Sequence, residues 1–229
     1  MNELSALPIS RKFPARRIEV ESKDDGPLVL RPICVADAEQ IRNDVEASRA
    51  ELKAFMPWSH KPSTLEEEIA RVREGEAEYF SGNEMVMGLY REGEMLTMVG
   101  LHPRVPLNPQ GLEVGYWAPT RNTKRGYTTL GVRIAALYAF DKLACDRLQV
   151  SHDEANTASR RVAEKCGFER EGVLRNHTAK PTSELTEGGL VWSGRHPFYA
   201  LFPDTIEAQP WVAELRPRLR YFNIAGLPV

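Results

Sequence analysis

The sequence lacks several features that would place it in a specialised class of protein. Only three of its 229 residues are cysteine, and none of them forms the CxxC spacing of a zinc or redox site. No run approaches the roughly 18 apolar residues that a membrane span needs, and the first residues lack the apolar core of a secretory signal. Basic and acidic residues nearly balance, 30 against 32, so the net charge is only −2. These absences predict a reduced, cytoplasmic protein with no metal, no membrane partner and no nucleic-acid partner.

The composition is otherwise that of an ordinary globular chain. Apolar residues make up 42% and charged residues 27% of the sequence, close to the averages for folded domains. The length predicts one large domain with extensions. We place the domain at residues 18–202, an N-terminal arm at 1–17 and a C-terminal extension at 203–229. The extension contains prolines and ends in an apolar coil, which could pack on the domain or on a second copy, so monomer and homodimer both stay open.

Apolar spacing along the chain predicts a set of strands followed by alternating strands and helices. A capping-box pattern at Ser63 to Glu66 marks one helix start, and Gly167 marks one helix end. The predicted strands are 17–21, 28–30, 85–90, 95–102, 112–117, 148–150, 168–174 and 198–202. The predicted helices are 35–55, 63–80, 127–143 and 157–166, and residues 175–195 are predicted to be a loop. This order predicts an α/β (α+β) fold in which about six to seven strands form one mixed sheet with about four helices.

The loop that precedes the helix at Tyr127 is the first candidate site. Arg121, Lys124 and Arg125 place three positive charges there, and Gly126 permits close approach of the backbone. A helix N-terminus presents unpaired amide groups and a partial positive charge, an arrangement that binds phosphate. The alternative is an ordinary strand–turn–helix connection with a solvated basic turn.

Asn156 and Ser159 form the second candidate site. Asn156 is a good N-cap for the helix that begins at Thr157, and Ser159 falls in the first turn of that helix. Their side chains could therefore face the same cleft. The alternative is that Asn156 only caps the helix and Ser159 only contacts solvent.

Together these segments resemble the GNAT N-acetyltransferase superfamily, and in particular its RimJ/RimL-type branch of ribosomal-protein alanine acetyltransferases. The resemblance covers roughly residues 28–202. The matching motifs are Glu113 to Trp117, Lys124 to Thr128, Asn156 to Ser159, Glu164 to Phe168, Leu28 to Pro32 and Phe55 to Trp58.

The resemblance implies a single GNAT-like domain that transfers an acetyl group from acetyl-CoA, as cosubstrate, to a primary amine. The acceptor would be a protein N-terminus or a small-molecule amine. The backbone of Tyr116, Trp117 and Ala118 would pair with the pantetheine arm, and Asn156 would also bind it. Ser159 would protonate or steady the leaving thiolate. The residues implied to cradle the pyrophosphate are Thr123, Lys124, Arg125, Gly126, Tyr127 and Thr128.

The acceptor amine must lose a proton before it can attack, so the site needs a base. Glu113 begins the strand that would carry the acetyl group and is our first choice, although a cross-strand ion pair is an equal alternative. His102 is the second choice. The phosphate loop departs from the family pattern, since threonine stands at Thr123 and Thr128. This departure motivates a second hypothesis, a non-catalytic acyl-CoA-binding or regulatory module.

Overall fold

The computed structural model describes residues 15–22, 26–105 and 108–229. Residues 1–14 of the predicted arm and residues 23–25, between the first two predicted strands, lie outside this range. The end of the arm is anchored in the fold, because the Ala15 amide donates to the Tyr138 hydroxyl at 2.7 Å and the Tyr79 hydroxyl donates to the Ala15 carbonyl at 2.6 Å.

One mixed sheet of nine strands runs through the described residues, in the order β7-β8-β6-β5-β4-β3-β2-β1-β9. Neighbouring strands are antiparallel except β5 and β6, which are parallel. The sheet therefore has more strands than the six to seven predicted. The strands are β1 Arg17–Glu21, β2 Pro27–Pro32, β3 Met85–Arg91, β4 Glu94–His102, β5 Gly111–Trp117, β6 Arg147–Ser151, β7 Glu169–Arg175, β8 Arg195–Leu201 and β9 Leu219–Phe222.

Eight α-helices accompany this sheet in the described part of the chain. They are α1 Ala38–Ala47, α2 Arg49–Leu52, α3 Leu65–Ser81, α4 Tyr127–Leu143, α5 Thr157–Cys166, α6 Ser183–Glu187, α7 Pro203–Glu207 and α8 Pro210–Leu215. Four of them have ten residues or more, which agrees with the predicted number. The capping box of α3 is built by Thr64 and Glu67, one residue later than the Ser63–Glu66 pattern.

Helices cover both faces of the sheet. Val99 of β4 packs in the larger apolar cluster together with residues of α4, whereas its neighbour Met98 packs in a smaller cluster with Ile41 of α1 and Val72 of α3. Successive residues of a strand point to opposite faces, so α4 lies on one face and α1 with α3 on the other. The domain consequently has a continuous core on each side of the strands that carry the candidate site.

One prediction about the second half of the chain was wrong. The segment 175–195 is not a continuous loop, because it contains α6. Within the C-terminal extension, residues 203–222 form α7, α8 and β9, for which no elements were predicted, and β9 pairs antiparallel with β1. Their prolines do not prevent this, since Pro203 and Pro210 occupy the first turns of α7 and α8, where the missing amide costs nothing. The extension packs on the domain itself and buries Val212 and Tyr221.

Candidate active site

The two parallel strands at the centre of the sheet separate soon after they meet. Strands β5 and β6 pair at Gly111–Arg147, Leu112–Leu148 and Glu113–Gln149. Beyond Glu113, no strand of the described residues pairs with this edge of β5, although its other edge stays paired with β4 as far as Trp117. The last four residues of β5 therefore offer backbone donors and acceptors to whatever enters the gap.

A cavity of about 550 Å³ opens at this gap. Its walls come from the segment after α2, from β5, from the end of β6 and from the segment around α6. Most of these residues are apolar, and the charged ones are Glu113, Asp153 and Lys180. The lining comprises Phe55, Met56, Pro57, Glu113, Val114, Gly115, Tyr116, Val150, Ser151, His152, Asp153, Asn156, Ser159, Thr178, Ala179, Lys180, Pro181, Thr182, Leu185, Leu190, Val191, Trp192 and His196.

The N-terminus of α4 has the form expected of an anion site. Gly126 takes the N-cap position with φ of 86°, and no side chain caps the helix. A Cβ added at Gly126 would meet no atom within 4 Å. Glycine is therefore favoured here by the positive φ, and its lack of a side chain leaves the backbone open to a ligand. Thr123, Lys124 and Arg125 are exposed beside it. The loop thus places two exposed cationic side chains beside a helix end, and the guanidinium carbon of Arg125 lies 5.2 Å from the centroid of the Tyr127 ring.

Three residues near this loop are turned towards the protein. Arg121 is paired with Asp44 and with Glu94, the latter at 3.1 Å, so its charge is already neutralised. The Tyr127 ring is buried and its hydroxyl accepts from Arg91 at 3.3 Å. The Thr128 hydroxyl lies 3.3 Å from the hydroxyl of Thr97 on β4. At Tyr127 and Thr128, therefore, only the backbone remains for a ligand in the loop.

Asn156 and Ser159 lie on the wall of the cavity, as their spacing predicts. The Asn156 side chain accepts from the Ser159 amide at 3.0 Å and caps α5. The Tyr116 hydroxyl is 3.0 Å from both the Ser159 carbonyl and the Ser159 hydroxyl. A carbonyl only accepts, so Tyr116 donates to it, and the serine hydroxyl then donates to the tyrosine oxygen. Burial raises the pKa of Tyr116 well above its ordinary value.

The two candidate bases have different surroundings. Glu113 lines the cavity and its carboxylate accepts from Gln149 at 3.2 Å, so the ion pair weighed as its alternative is replaced by a neutral hydrogen bond. His102 is not among the described lining residues and its Nδ1 bonds to Glu84. Burial opposes ionisation of Glu84, but hydrogen bonds from His102 and Arg104 lower its pKa overall. His102 is thus engaged in an ion cluster beside the cavity.

Sequence reasoning missed the residues on the far side of the cavity. His152 follows β6 directly, Trp192 lies in the segment that was predicted to be a loop, and His196 lies on β8 just after that segment. The one available signal was a histidine at the carboxyl end of a central strand, where ligands of open α/β sheets commonly bind. Trp58, by contrast, is 53% exposed outside the cavity with its ring 5.9 Å from that of Trp117.

The fold and this gap define an acetyltransferase of the GNAT class. The family described as acetyltransferase (GNAT) domain matches residues 27–169, more than half of the chain, and the chain belongs to it. The putative ribosomal N-acetyltransferase YdaF of Bacillus subtilis (strain 168) is 27% identical over 152 residues, which cover 65% of this chain and 81% of that protein. Neither the family match nor this relative supports a purely non-catalytic module.

Solved structures share the fold. Mycobacterium smegmatis RimJ in complex with CoA-disulfide superimposes with a TM-score of 0.70 at 19% identity, covering 92% of this chain and 97% of that one. RimL, a ribosomal L7/L12 alpha-N-protein acetyltransferase in complex with coenzyme A, does so with a TM-score of 0.68 at 19% identity, covering 82% and 99%. These structures show that the chain has the same fold, and the match to the family confirms the resemblance of the sequence to the GNAT acetyltransferases.

Proposed function

We propose that this protein transfers the acetyl group of acetyl-CoA to the primary amine of a protein N-terminus, with a small-molecule amine as the second candidate. The observation that carries the proposal is the early separation of β5 and β6 beside the uncapped N-terminus of α4. Acetyl-CoA is a linear molecule with an anionic end. Its arm would need the unpaired edge of β5, and its phosphates would need the uncapped N-terminus of α4 at the end of that edge. The RimL structure in complex with coenzyme A and the RimJ structure in complex with CoA-disulfide support this choice of cosubstrate.

The coenzyme would lie along the free edge of β5. The backbone of Tyr116, Trp117 and Ala118 would pair with the amides of the pantetheine arm, which replaces the missing strand. Backbone amides at this edge would also polarise the thioester carbonyl, an effect worth a few kcal/mol in acyl transfer. Asn156 lies on the cavity wall, where its amide group can reach the same arm.

The pyrophosphate would sit in the loop that leads into α4. Gly126 provides the open approach, and the exposed side chains of Lys124 and Arg125 provide the countercharge. Thr123 adds an exposed hydroxyl whose oxygen already donates to the Thr120 carbonyl at 2.9 Å. Tyr127 and Thr128 would contribute through their backbone only.

Ser159 would protonate the leaving thiolate. Its hydroxyl proton points to Tyr116 in the resting arrangement, so donation to sulfur requires the hydroxyl to rotate, with Tyr116 supplying a replacement proton. Tyr116 is protonated at neutral pH, but burial raises its pKa and makes it a weaker acid, so the proton that it lends to Ser159 must be returned to it within the reaction.

Glu113 would attract the acceptor ammonium and take its first proton. An α-amine with an ordinary pKa of about 7.7–8 is partly protonated at neutral pH, and a carboxylate in the cavity favours its entry. Glu113→Gln retains an oxygen that can accept from Gln149 but removes the charge. We expect the pH–rate profile for the acceptor to shift, as measured by initial rates across pH; an unchanged profile would remove Glu113 from the mechanism.

The acceptor class is tested with purified protein, acetyl-CoA and a panel of amines read by mass spectrometry. The panel holds ribosomal-protein N-terminal peptides, trialanine amide, polyamines and free amino acids. Acetylation of peptides at the α-amine without acetylation of small amines would support the protein acceptor, and the reverse would favour the second candidate. Thermal stabilisation by acetyl-CoA without turnover of any amine would contradict the enzymatic proposal and favour a binding module.

A further inference from the structure

His152 is a buried histidine in the wall of the candidate active site. It follows the last residue of β6, is only 8% exposed, and lines the cavity. One face of its ring stacks on Tyr199 of β8, with centroids 5.6 Å apart and an angle of 22° between the planes. Its Nδ1 lies 2.8 Å from the carbonyl oxygen of Asp153. The ring is therefore held in one orientation by a stacking contact and a hydrogen bond.

The hydrogen bond decides where the proton of the neutral imidazole sits. A carbonyl oxygen can only accept, so Nδ1 must carry the hydrogen and donate it. In the neutral ring, Nε2 then holds the lone pair and is a base. The backbone thus fixes the tautomer, as a carboxylate or a carbonyl does for many functional histidines.

Nothing in the described residues satisfies that lone pair. The Nε2 atom of His152 is buried and has no hydrogen-bond partner there. A buried acceptor without a partner is costly, and such atoms commonly mark a place where a ligand or water binds. Among the buried side-chain polar atoms without a partner in the described chain, only His152 Nε2 and Trp192 Nε1 belong to residues that line the cavity.

The reaction needs a second proton acceptor, and this requirement rests on the proposed function. An ammonium acceptor loses one proton before it attacks, which Glu113 would take and pass to solvent. Attack forms the N–C bond and moves the carbonyl electron pair to oxygen, which leaves a nitrogen with positive charge. That nitrogen must lose another proton before or as the C–S bond breaks and its electron pair leaves with sulfur.

We propose that His152 Nε2 is a catalytic base that accepts this second proton from the acceptor nitrogen. The imidazolium then returns the proton to the Ser159–Tyr116 pair, which has protonated the thiolate, directly or through water. The products are the acetylated amine and the free thiol of coenzyme A, with one proton released to solvent for each ammonium consumed. Atoms and charge balance without any further reactant.

The groups around His152 are compatible with proton transfer to and from its Nε2 atom. The Asp153 carboxylate is tied to the amides of Ala155 at 2.9 Å and Ser193 at 2.7 Å, and Tyr199 faces the ring by stacking. His196, on the same cavity wall, bonds to Thr178 at 3.1 Å, and burial lowers its pKa. The remaining charged groups of the cavity, Glu113 and Lys180, carry opposite charges.

The test compares two substitutions and one control. His152→Phe keeps an aromatic ring on Tyr199 but has no base, and His152→Ala leaves a space for an added imidazole. His177→Asn changes a histidine that is exposed and does not line the cavity. The acceptor is the amine with the highest turnover in the panel above, with trialanine amide as the reference compound. The measurements are kcat/KM for the acceptor and the Kd of acetyl-CoA by calorimetry.

We expect His152→Phe to lower kcat/KM by about 100-fold, the lower end of the usual contribution of a general base, with an unchanged Kd for acetyl-CoA. Added imidazoles should restore the rate of His152→Ala, and the restored rate should rise with the basicity of the imidazole added. If His152 had only a structural role, the rate restored to His152→Ala would not depend on the basicity of the added imidazole.

Full activity of His152→Phe, or rescue by imidazoles regardless of their basicity, would overturn the assignment of His152 while leaving the acetyltransferase proposal intact. The His177→Asn variant should keep the activity of the unsubstituted protein. Absence of turnover on every amine by the unsubstituted protein would instead overturn the proposed function, and the inference with it.

Discussion

Strands β3 and β4 stay paired along seven residue pairs, with one register shift between Leu89 and Tyr90, whereas β5 and β6 stay paired along only three. The first region satisfies its own backbone groups and is closed by the helices on both faces. The second leaves four residues of β5 unpaired on one edge and opens a cavity there. We therefore expect the antiparallel part of the sheet to contribute most to stability, and we propose that ligands bind at the one parallel junction in the described residues.

The largest effect is expected on the affinity for acetyl-CoA, from a substitution in the loop before α4. Gly126→Glu should weaken acetyl-CoA binding by about a thousandfold, because a carboxylate placed among phosphates costs several kcal/mol. The side chain has open space, so the fold should survive. Gly126→Gln is the matched control, since it has the same shape and backbone strain without the charge. Calorimetry gives both affinities, and equal affinities would mean that the phosphates do not bind at this loop.

On the other side of the comparison, Leu89→Ala in β3 should reduce the free energy of unfolding by about 3 kcal/mol. Leu89 is fully buried, and truncation removes apolar contacts and leaves a cavity. The same change at Leu227, which is 61% exposed, should cost less than about 0.5 kcal/mol. Urea unfolding measures both. A change in the acetyl-CoA affinity of the folded Leu89→Ala protein would argue that the two regions are coupled.

Ser159→Ala should lower kcat by about 30-fold, which corresponds to about 2 kcal/mol, and leave acetyl-CoA affinity unchanged. The substitution keeps the amide that Asn156 caps, so α5 should retain its first turn. Steady-state kinetics and calorimetry separate the two quantities, with Ser81→Ala at the exposed end of α3 as control. A weaker affinity with an unchanged kcat would make Ser159 a binding residue.

The smallest expected effect is the pH-dependent contribution of Asp37 to the free energy of unfolding. Asp37 is buried, which opposes its ionisation, but hydrogen bonds from Arg31 at 2.8 Å and from the Cys34 amide at 2.8 Å lower its pKa overall. A carboxyl whose pKa is lower in the folded state stabilises the protein above the unfolded pKa of about 3.9.

Asp37→Asn should therefore cost about 1–2 kcal/mol at pH 7, measured by urea unfolding. That difference should shrink as the pH falls below about 3.9, because the unfolded carboxyl then binds a proton while the folded one keeps its charge until its own, lower pKa is reached. A difference that stays constant down to pH 2 would show that packing, and not the charge of Asp37, stabilises this part of the fold.

Local signals made the central helices predictable. Helices α4 and α5 begin and end where the sequence places them, because Gly126, Asn156 and Gly167 are strong terminal residues. The resemblance and the loop before Tyr127 likewise pointed to the edge of β5, where the structure opens a cavity. In each case the signal lies within a few residues of the feature that it predicts.

Features built from distant contacts could not be predicted. Strand β9 has only four residues and its partner lies at the other end of the chain, so it has no local pattern. Arg121 looked available for phosphate, but its partners Asp44 and Glu94 lie on other elements. The contact between Tyr116 and Ser159 joins a strand to a helix 43 residues later. Side-chain pairing across elements is decided by the tertiary fold.

The pairing of β1 with β9 also bears on how the protein is synthesised. The two strands are roughly 200 residues apart in the chain, a separation that slows folding because a long loop must close. On the ribosome, the outer edge of β1 would stay exposed long after the central strands have emerged. An uncovered strand edge is a template for association with other chains, so nascent copies of this protein should depend on chaperone protection until Leu219–Phe222 is available.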